Sequence, residues 1–208
     1  MAAEDCTEVT ARDPNIENDV RAIVQRIVDG LFDGDSAGVE VTDEPHDNIV
    51  PRHDDGTTIA IGADHGGFAL KERIGFRLKE QGYTVVDCGT DSTDAVDYPD
   101  FAAAVARMVG AHKAEIGIMI DGAGIGSSMA ANKIPGVRAA QCYDISTARN
   151  AREHNHANVL TLGAGLIGDG LAWQITQEFI ATPFGMGRHA RRVAKIDALD
   201  HSVAEVSS

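Results

Sequence analysis

The sequence predicts an α/β domain with a five-stranded parallel sheet between two helical layers, preceded by an amphipathic helix on a tether. Three observations carry this. From residue 58 onward, short apolar runs rich in Ile and Val alternate with helical patterns, the order that selects a parallel sheet with right-handed crossovers. One run, Ile116, Ile118, Met119 and Ile120, is apolar at successive positions, as a strand buried on both faces must be. It stops at Asp121 and a turn containing Gly122, Gly124 and Gly126, and the carboxyl ends of strands are where open α/β sheets bind ligands.

The elements follow in order. Residues 1–14 are polar and acidic and read as a disordered lead. Over 15–32, Ile16, Val20, Ile23, Val24, Ile27, Val28 and Leu31 recur at three- and four-residue steps with charged residues between them, which makes one amphipathic helix. Residues 33–57 lose all periodicity and contain Pro45 and Pro51. They read as an acidic linker, longer than a compact domain tolerates as an internal loop. The globular domain spans 58–208. Strands are expected at 59–62, 84–86, 116–120, 137–142 and 159–162. Helices are expected at 68–81, 98–112, 127–133, 145–154, 170–180 and 187–201.

Composition narrows the function. A chain of 208 residues with 43% hydrophobic content supports a substantial core. A formal charge of −14 argues against nucleic acid or an anionic membrane surface as partner, since both reward positive patches. Cys6, Cys88 and Cys142 are odd in number and widely spaced, so neither a disulfide framework nor a zinc site is suggested. No apolar run approaches the ~20 residues of a membrane span, and no secretory signal opens the sequence. The expectation is an unexported cytoplasmic protein.

The chemistry is expected at the carboxyl edge of the sheet. Asp64 and His65 end the first strand, Asp121 and its glycines the third, and Tyr143 and Asp144 the fourth. The glycines let the backbone approach a ligand, and the following helix turns its first N–H groups toward it. Asp121 then has two readings: a base beside an oxyanion site, or a turn carboxylate satisfied by its own backbone. The loop lacks the third-glycine spacing of a dinucleotide fingerprint. His154 and His156 have no third ligand spaced to complete a metal site. Arg188, Arg191 and Arg192 are either a salt-bridged helix face or a phosphate clamp, and Tyr98 either core or a contact to a sugar.

Six motifs stand in one order: G-A-D-H-G-G at 62–67, D-Y-P at 97–99, G-A-G-I-G-S-S-M-A-A-N-K at 122–133, P-G-V-R-A-A at 135–140, R-E-H-N-H-A-N-V-L at 152–160 and G-R-H-A-R-R-V at 187–193. In order and spacing they resemble the ribose-5-phosphate isomerase B family, which includes the galactose-6-phosphate isomerase subunits. The resemblance covers 58–199. It implies a flavodoxin-like (Rossmann-type) three-layer fold, and a homodimer or homotetramer whose active sites draw on two subunits. It also implies an aldose–ketose isomerisation of a sugar phosphate through a cis-enediolate, with no metal or cofactor. Carried over by position, Asp64 and His65 bind the open chain and phosphate, and His154 and Asn155 assist ring opening or binding from the partner subunit. Arg188 and Arg192 hold the phosphate, and the loop from Gly122 through Gly124 and Gly126 stabilises the enediolate, with Ser127 beside it.

The sequence departs from that family at two places. Asp121 stands where the family's usual base is a Cys, with Ala123 where a Thr follows; another branch has a Glu at the position of Ser127. A thiol must be shifted down to act as a base at neutral pH, whereas a carboxylate is already ionised, so Asp121 is expected to replace it. Gly165 stands where many members have an Arg near the phosphate. The helix over 15–32 resembles the encapsulation peptides that carry enzymes into bacterial microcompartments, by binding shell proteins; docking on its own domain and self-association are the competing readings. The alternatives to ribose-5-phosphate isomerisation are an isomerase of another aldose phosphate, and a catalytically silent homologue retained as cargo.

Overall fold

A computed structural model describes residues 56–205. The lead, the amphipathic helix over 15–32 and the linker as far as residue 55 lie outside the described residues. The elements are β1 (Thr58–Ala63), α1 (Phe68–Glu80), β2 (Thr84–Asp87), α2 (Tyr98–Gly110), β3 (Ile116–Asp121), α3 (Ile125–Ala131), β4 (Ala139–Gln141), α4 (Ile145–Asn155), β5 (Val159–Gly163), α5 (Asp169–Ala181) and α6 (Arg188–Glu205). The five strands are parallel throughout.

Alternation along the strands builds the two halves of the core. Ile59, Ile61, Ile116, Ile118, Ile120, Leu160 and Leu162 face one side, where α1, α4 and α5 supply Leu70, Ile74, Ala148, Ile175 and Phe179. Ala60, Met119 and Val159 face the other, where α2 and α3 supply Val105, Ala106, Val109 and Ala131. This is the expected three-layer fold. Lys71, nearly enclosed in α1, reaches Asp87 at the end of β2 at 2.5 Å, which pins α1 to the sheet through a paired rather than a bare buried charge.

The strand order is β2-β1-β3-β5-β4, whereas the flavodoxin-like order would place the fourth strand beside the third. Burial explains the exchange. β5 is buried at all five positions and sits inside the sheet, while β4 is only three residues long, half-buried throughout and suited to an edge. The expected fourth strand over 137–142 shortens accordingly. The third expected helix also starts two residues early, because Gly124 takes a left-handed conformation (φ 78°) and turns the chain directly into α3.

The point where the sheet's connections diverge lies between β1 and β3. β1 leads outward to β2, and β3 leads toward β5 and β4. The loops after β1 and β3, with Asp64 and Asp121, therefore flank the crevice in which such sheets bind ligands.

Candidate active site

Asp121 is the last residue of β3, and β3 holds it in register with Gly163 of β5. Its side chain turns back into the loop that follows and is 4% exposed. Oδ1 accepts hydrogen bonds from the N–H groups of Ala123 (2.8 Å) and Gly124. Oδ2 accepts from the Ser127 N–H (3.2 Å) and from the Ser127 hydroxyl. A carboxylate has about four lone-pair sites, and here all four meet donors of one loop. The backbone donors expected to await an enediolate at Ala123, Gly124 and Ser127 are thus engaged by Asp121 itself.

The loop is held from outside as well. Ala164 N–H donates to the Asp121 carbonyl at 2.8 Å and Gly165 N–H to that of Gly122 at 3.0 Å. The Gln141 amide reaches the Ala123 carbonyl at 2.6 Å, and the Thr161 hydroxyl the Gly124 carbonyl at 2.9 Å. Every carbonyl from Asp121 to Gly124 therefore has a fixed partner, so the turn is a preorganised cradle. At Gly126 the Tyr98 ring lies so close that a Cβ would stand 2.5 Å from it. This contact places Tyr98, partly exposed at the start of α2, on the mouth of the loop.

Asp64 and His65 occupy the neighbouring turn after β1. Asp64 Oδ1 accepts from Gly67 N–H at 3.0 Å. No hydrogen bond reaches its Oδ2 from any described residue. His65 is exposed, and its Nδ1 accepts from Val96 N–H at 3.3 Å, which leaves Nε2–H to donate outward. The carboxyl edge thus brings together Asp64, His65, Tyr98, Asp121, Gly122, Gly124, Gly126 and Ser127.

The other expected residues lie elsewhere. A helix joining parallel strands runs back against them, so α4 starts at the carboxyl edge with Asp144, whose side chain caps it by accepting from Thr147 N–H at 2.7 Å. It ends at the amino edge with His154 and Asn155, roughly 16 Å away at 1.5 Å per residue. α6 begins at that same edge: the rings of His154 and His189 stack in parallel at 4.4 Å, and Gly185 N–H donates to the Glu153 carbonyl at 2.8 Å. Arg188 and Arg192 therefore accompany His154 and Asn155, at the end of the sheet opposite Asp121. In one protomer the two halves of the expected site do not meet.

Neither described cysteine is poised for proton transfer. Burial pushes the Cys142 thiol up to about 12, and burial with the Asp87 carboxylate also raises that of Cys88. Sequence reasoning missed Asn150 and His189, which contact His154; the G-R-H run held a signal for His189, but nothing in the sequence marked Asn150. Among the described residues, no group of three or more His, Cys, Asp or Glu is arranged for a metal, and no helix is long and apolar enough to cross a membrane.

Comparison with known proteins matches this architecture to one family. The ribose/galactose isomerase family model covers residues 59–196. The chain is 42% identical over 142 residues to ribose-5-phosphate isomerase B of Escherichia coli strain K12, a span of 68% of this chain and 95% of that protein. Ribose-5-phosphate isomerase B of Clostridium thermocellum superposes with a TM-score of 0.70 at 46% identity, over 71% of this chain and 99% of the other. The Mycoplasma genitalium enzyme, solved with ribulose 5-phosphate bound, gives 0.68 at 41% identity over 70% and 97%. The chain belongs to the ribose/galactose isomerase family and is a sugar-phosphate aldose–ketose isomerase.

Proposed function

We propose that this chain interconverts ribose 5-phosphate and ribulose 5-phosphate through an enediolate, in sites shared between two copies of the chain. The observation that carries this reading is the division of the candidate residues between opposite edges of the sheet. A symmetric dimer that lays the α4–α6 end of one copy on the carboxyl edge of the other unites them twice over. Exposed apolar side chains support it: Ile125, Met129, Tyr143 and Leu166 rim the carboxyl edge, and Met186, Ile196 and Leu199 stand along the segment that would cover it. The partner's α6 would then bring two guanidinium groups, Arg188 and Arg192, to the phosphate beside His65. His154 would donate to the ring oxygen as the sugar opens. Two such dimers pairing into a tetramer would leave each site intact.

The reaction needs one base. A carboxylate takes the proton from C2 of the aldose, the electron pair forms the C1–C2 double bond of the enediolate, a proton passes between the two oxygens, and the acid returns its proton to C1. Asp121 is our first assignment. It acts through Oδ2 once the Ser127 hydroxyl rotates off that oxygen and onto the substrate, since Ser127 Oγ is the one donor of the four not fixed in the backbone. The closed donor set favours a second reading, in which Asp121 holds the cradle and Asp64, with Oδ2 open, moves the proton.

A coupled ribose 5-phosphate assay in D2O separates the two. If Asp121 is the base, Asp121→Asn loses both turnover and C2 deuterium exchange, while Asp64→Asn keeps exchange in bound substrate. The reverse pattern assigns Asp64. Wild-type turnover of another aldose phosphate but not of ribose 5-phosphate would overturn the substrate.

We further propose that residues 15–32 carry the enzyme from the cytoplasm into a bacterial microcompartment by binding its shell proteins. The apolar stripe of that segment supports this. Deleting 1–57 is expected to abolish encapsulation and leave turnover unchanged; an inactive truncation would make the segment part of the enzyme.

A further inference from the structure

The amino-edge half of the candidate site contains a hydrogen-bonded and stacked cluster around His154. Asn150 lies one helical turn before it on α4, and its amide nitrogen is 2.8 Å from His154 Nδ1. The other end of the same amide faces Asn155, whose Nδ2 donates to Asn150 Oδ1 at 3.5 Å. That orientation makes Asn150 Nδ2 the donor and His154 Nδ1 the acceptor, so the ring's proton resides on Nε2. From α6, the His189 ring covers His154 with an interplanar angle of 1°. Arg188 Nε–H donates to His189 Nε2 at 3.4 Å, so His189 in turn carries its proton on Nδ1.

We propose that Asn150 and His189 are positioning residues for His154: the Asn150 amide holds it in the Nε2–H tautomer, and the stacked His189 ring fixes the plane in which that N–H lies. The proposal deepens the reading of His154 as the group that donates to the opening sugar in the partner's site, and rests on it. A donor to a ring oxygen must present an N–H, and the tautomer with its proton on Nδ1 would present a lone pair there instead.

The charged groups facing the stack agree with a neutral His189 ring. Burial, then His154, Arg188 and Arg192, hold His189 below the usual histidine range, against the opposing pull of Glu153. Glu153 Oε1 stands 3.7 Å from His154 Nε2 and is the one carboxylate near that nitrogen among the described residues. Asn150 also ties His154 to Asn155, so one amide sets two residues that would enter the partner's site together.

The test is the 15N spectrum of the imidazoles in the full-length protein, read with turnover. Wild type is expected to show His154 as the Nε2–H tautomer. Asn150→Asp replaces the donor beside Nδ1 with an acceptor of the same shape; it should transfer the proton to Nδ1 and lower kcat about a hundredfold, within the usual contribution of a general acid. His189→Ala should lower kcat about tenfold, and His189→Phe, which keeps a ring in the stack, should restore most of that loss. A His154 that carries its proton on Nδ1 in the wild type, or is indifferent to Asn150→Asp, overturns the proposal. So does a tautomer change that leaves kcat unaltered. Absence of isomerase activity in the wild type would instead refute the assigned reaction, and the tautomer remains readable by NMR in that case.

Discussion

Replacing Asp121 with Asn tests whether the carboxylate really holds its loop. The side chain accepts four hydrogen bonds, three from backbone N–H groups and one from the Ser127 hydroxyl. Asn keeps one acceptor oxygen and sets an NH2 group against the donors at the other position. With its oxygen toward Ala123 and Gly124, the Ser127 hydroxyl can reverse and accept, but the Ser127 N–H loses its acceptor. A buried unsatisfied N–H costs about 1–3 kcal/mol, and turning the two remaining charge-assisted bonds into neutral ones removes roughly 1 kcal/mol each. The sum is roughly 3–5 kcal/mol, which a domain with ~5–15 kcal/mol of stability survives at room temperature. At about 2–4 °C per kcal/mol for a domain of this size, the melting temperature should fall by roughly 6–20 °C. Ser127→Ala, which removes only the hydroxyl, should lose about 1 kcal/mol. Thermal and urea unfolding of the three proteins measure this directly. An Asn variant that melts within about 2 °C of wild type would refute the saturated carboxylate, and would leave Asp121 open toward the substrate.

Three further predictions use other parts of the site and fold. With Cys6 changed to Ser, iodoacetamide at neutral pH should leave turnover intact, because the Cys142 thiol is pushed up to about 12 and that of Cys88 is also raised; rapid inactivation would point to a reactive thiol at the site. Gly126→Ala drives a Cβ to 2.5 Å from the Tyr98 ring and should reduce kcat/KM about tenfold or more, with partial recovery in the Gly126→Ala, Tyr98→Ser double variant; an unaffected single variant would mean that Tyr98 does not rest on the loop. The Arg73 hydrogen bond, helped by Arg77, holds the Asp169 carboxyl below its usual range. Asp169→Asn should therefore lose up to about 1 kcal/mol at pH 7, and the difference should vanish as pH falls through the lowered folded-state value; a difference that persists in strong acid would contradict the linkage.

Much of this molecule was legible from residue pattern. Continuous apolar runs marked β1, β3 and β5, because strands buried on both faces leave no polar alternation, and Tyr98-Pro99 marked the start of α2 because Pro suits a first helical turn. The exchange of β4 and β5 was written only faintly, in the contrast between the apolar run Val159 to Leu162 and a fourth run, Val137 to Cys142, that is interrupted by Arg138 and Gln141. Strand order depends on which strand buries more area, and local patterning does not report that. At the site, residue types at the sheet's carboxyl edge were legible from the Asp64-His65 and Asp121-Gly122 turns. Which donors the Asp121 carboxylate takes was not, since that depends on the path of six residues in three dimensions. Asn150 and His189 were missed for a related reason: their roles arise where α4 and α6 meet, 39 positions apart in the chain, and neither residue type announces a stack or a tautomer.

A site divided between two copies of the chain predicts complementation between variants of its two halves. Asp64→Asn alters only the carboxyl-edge half and His154→Ala only the amino-edge half, so each homodimer should be nearly inactive at ribose 5-phosphate concentrations far below KM. After subunit exchange, followed by native mass spectrometry, about half of the dimers are mixed and each mixed dimer has one intact site of two. The mixture should regain about a quarter of wild-type specific activity. Mixed dimers that form and stay inactive would contradict the shared site.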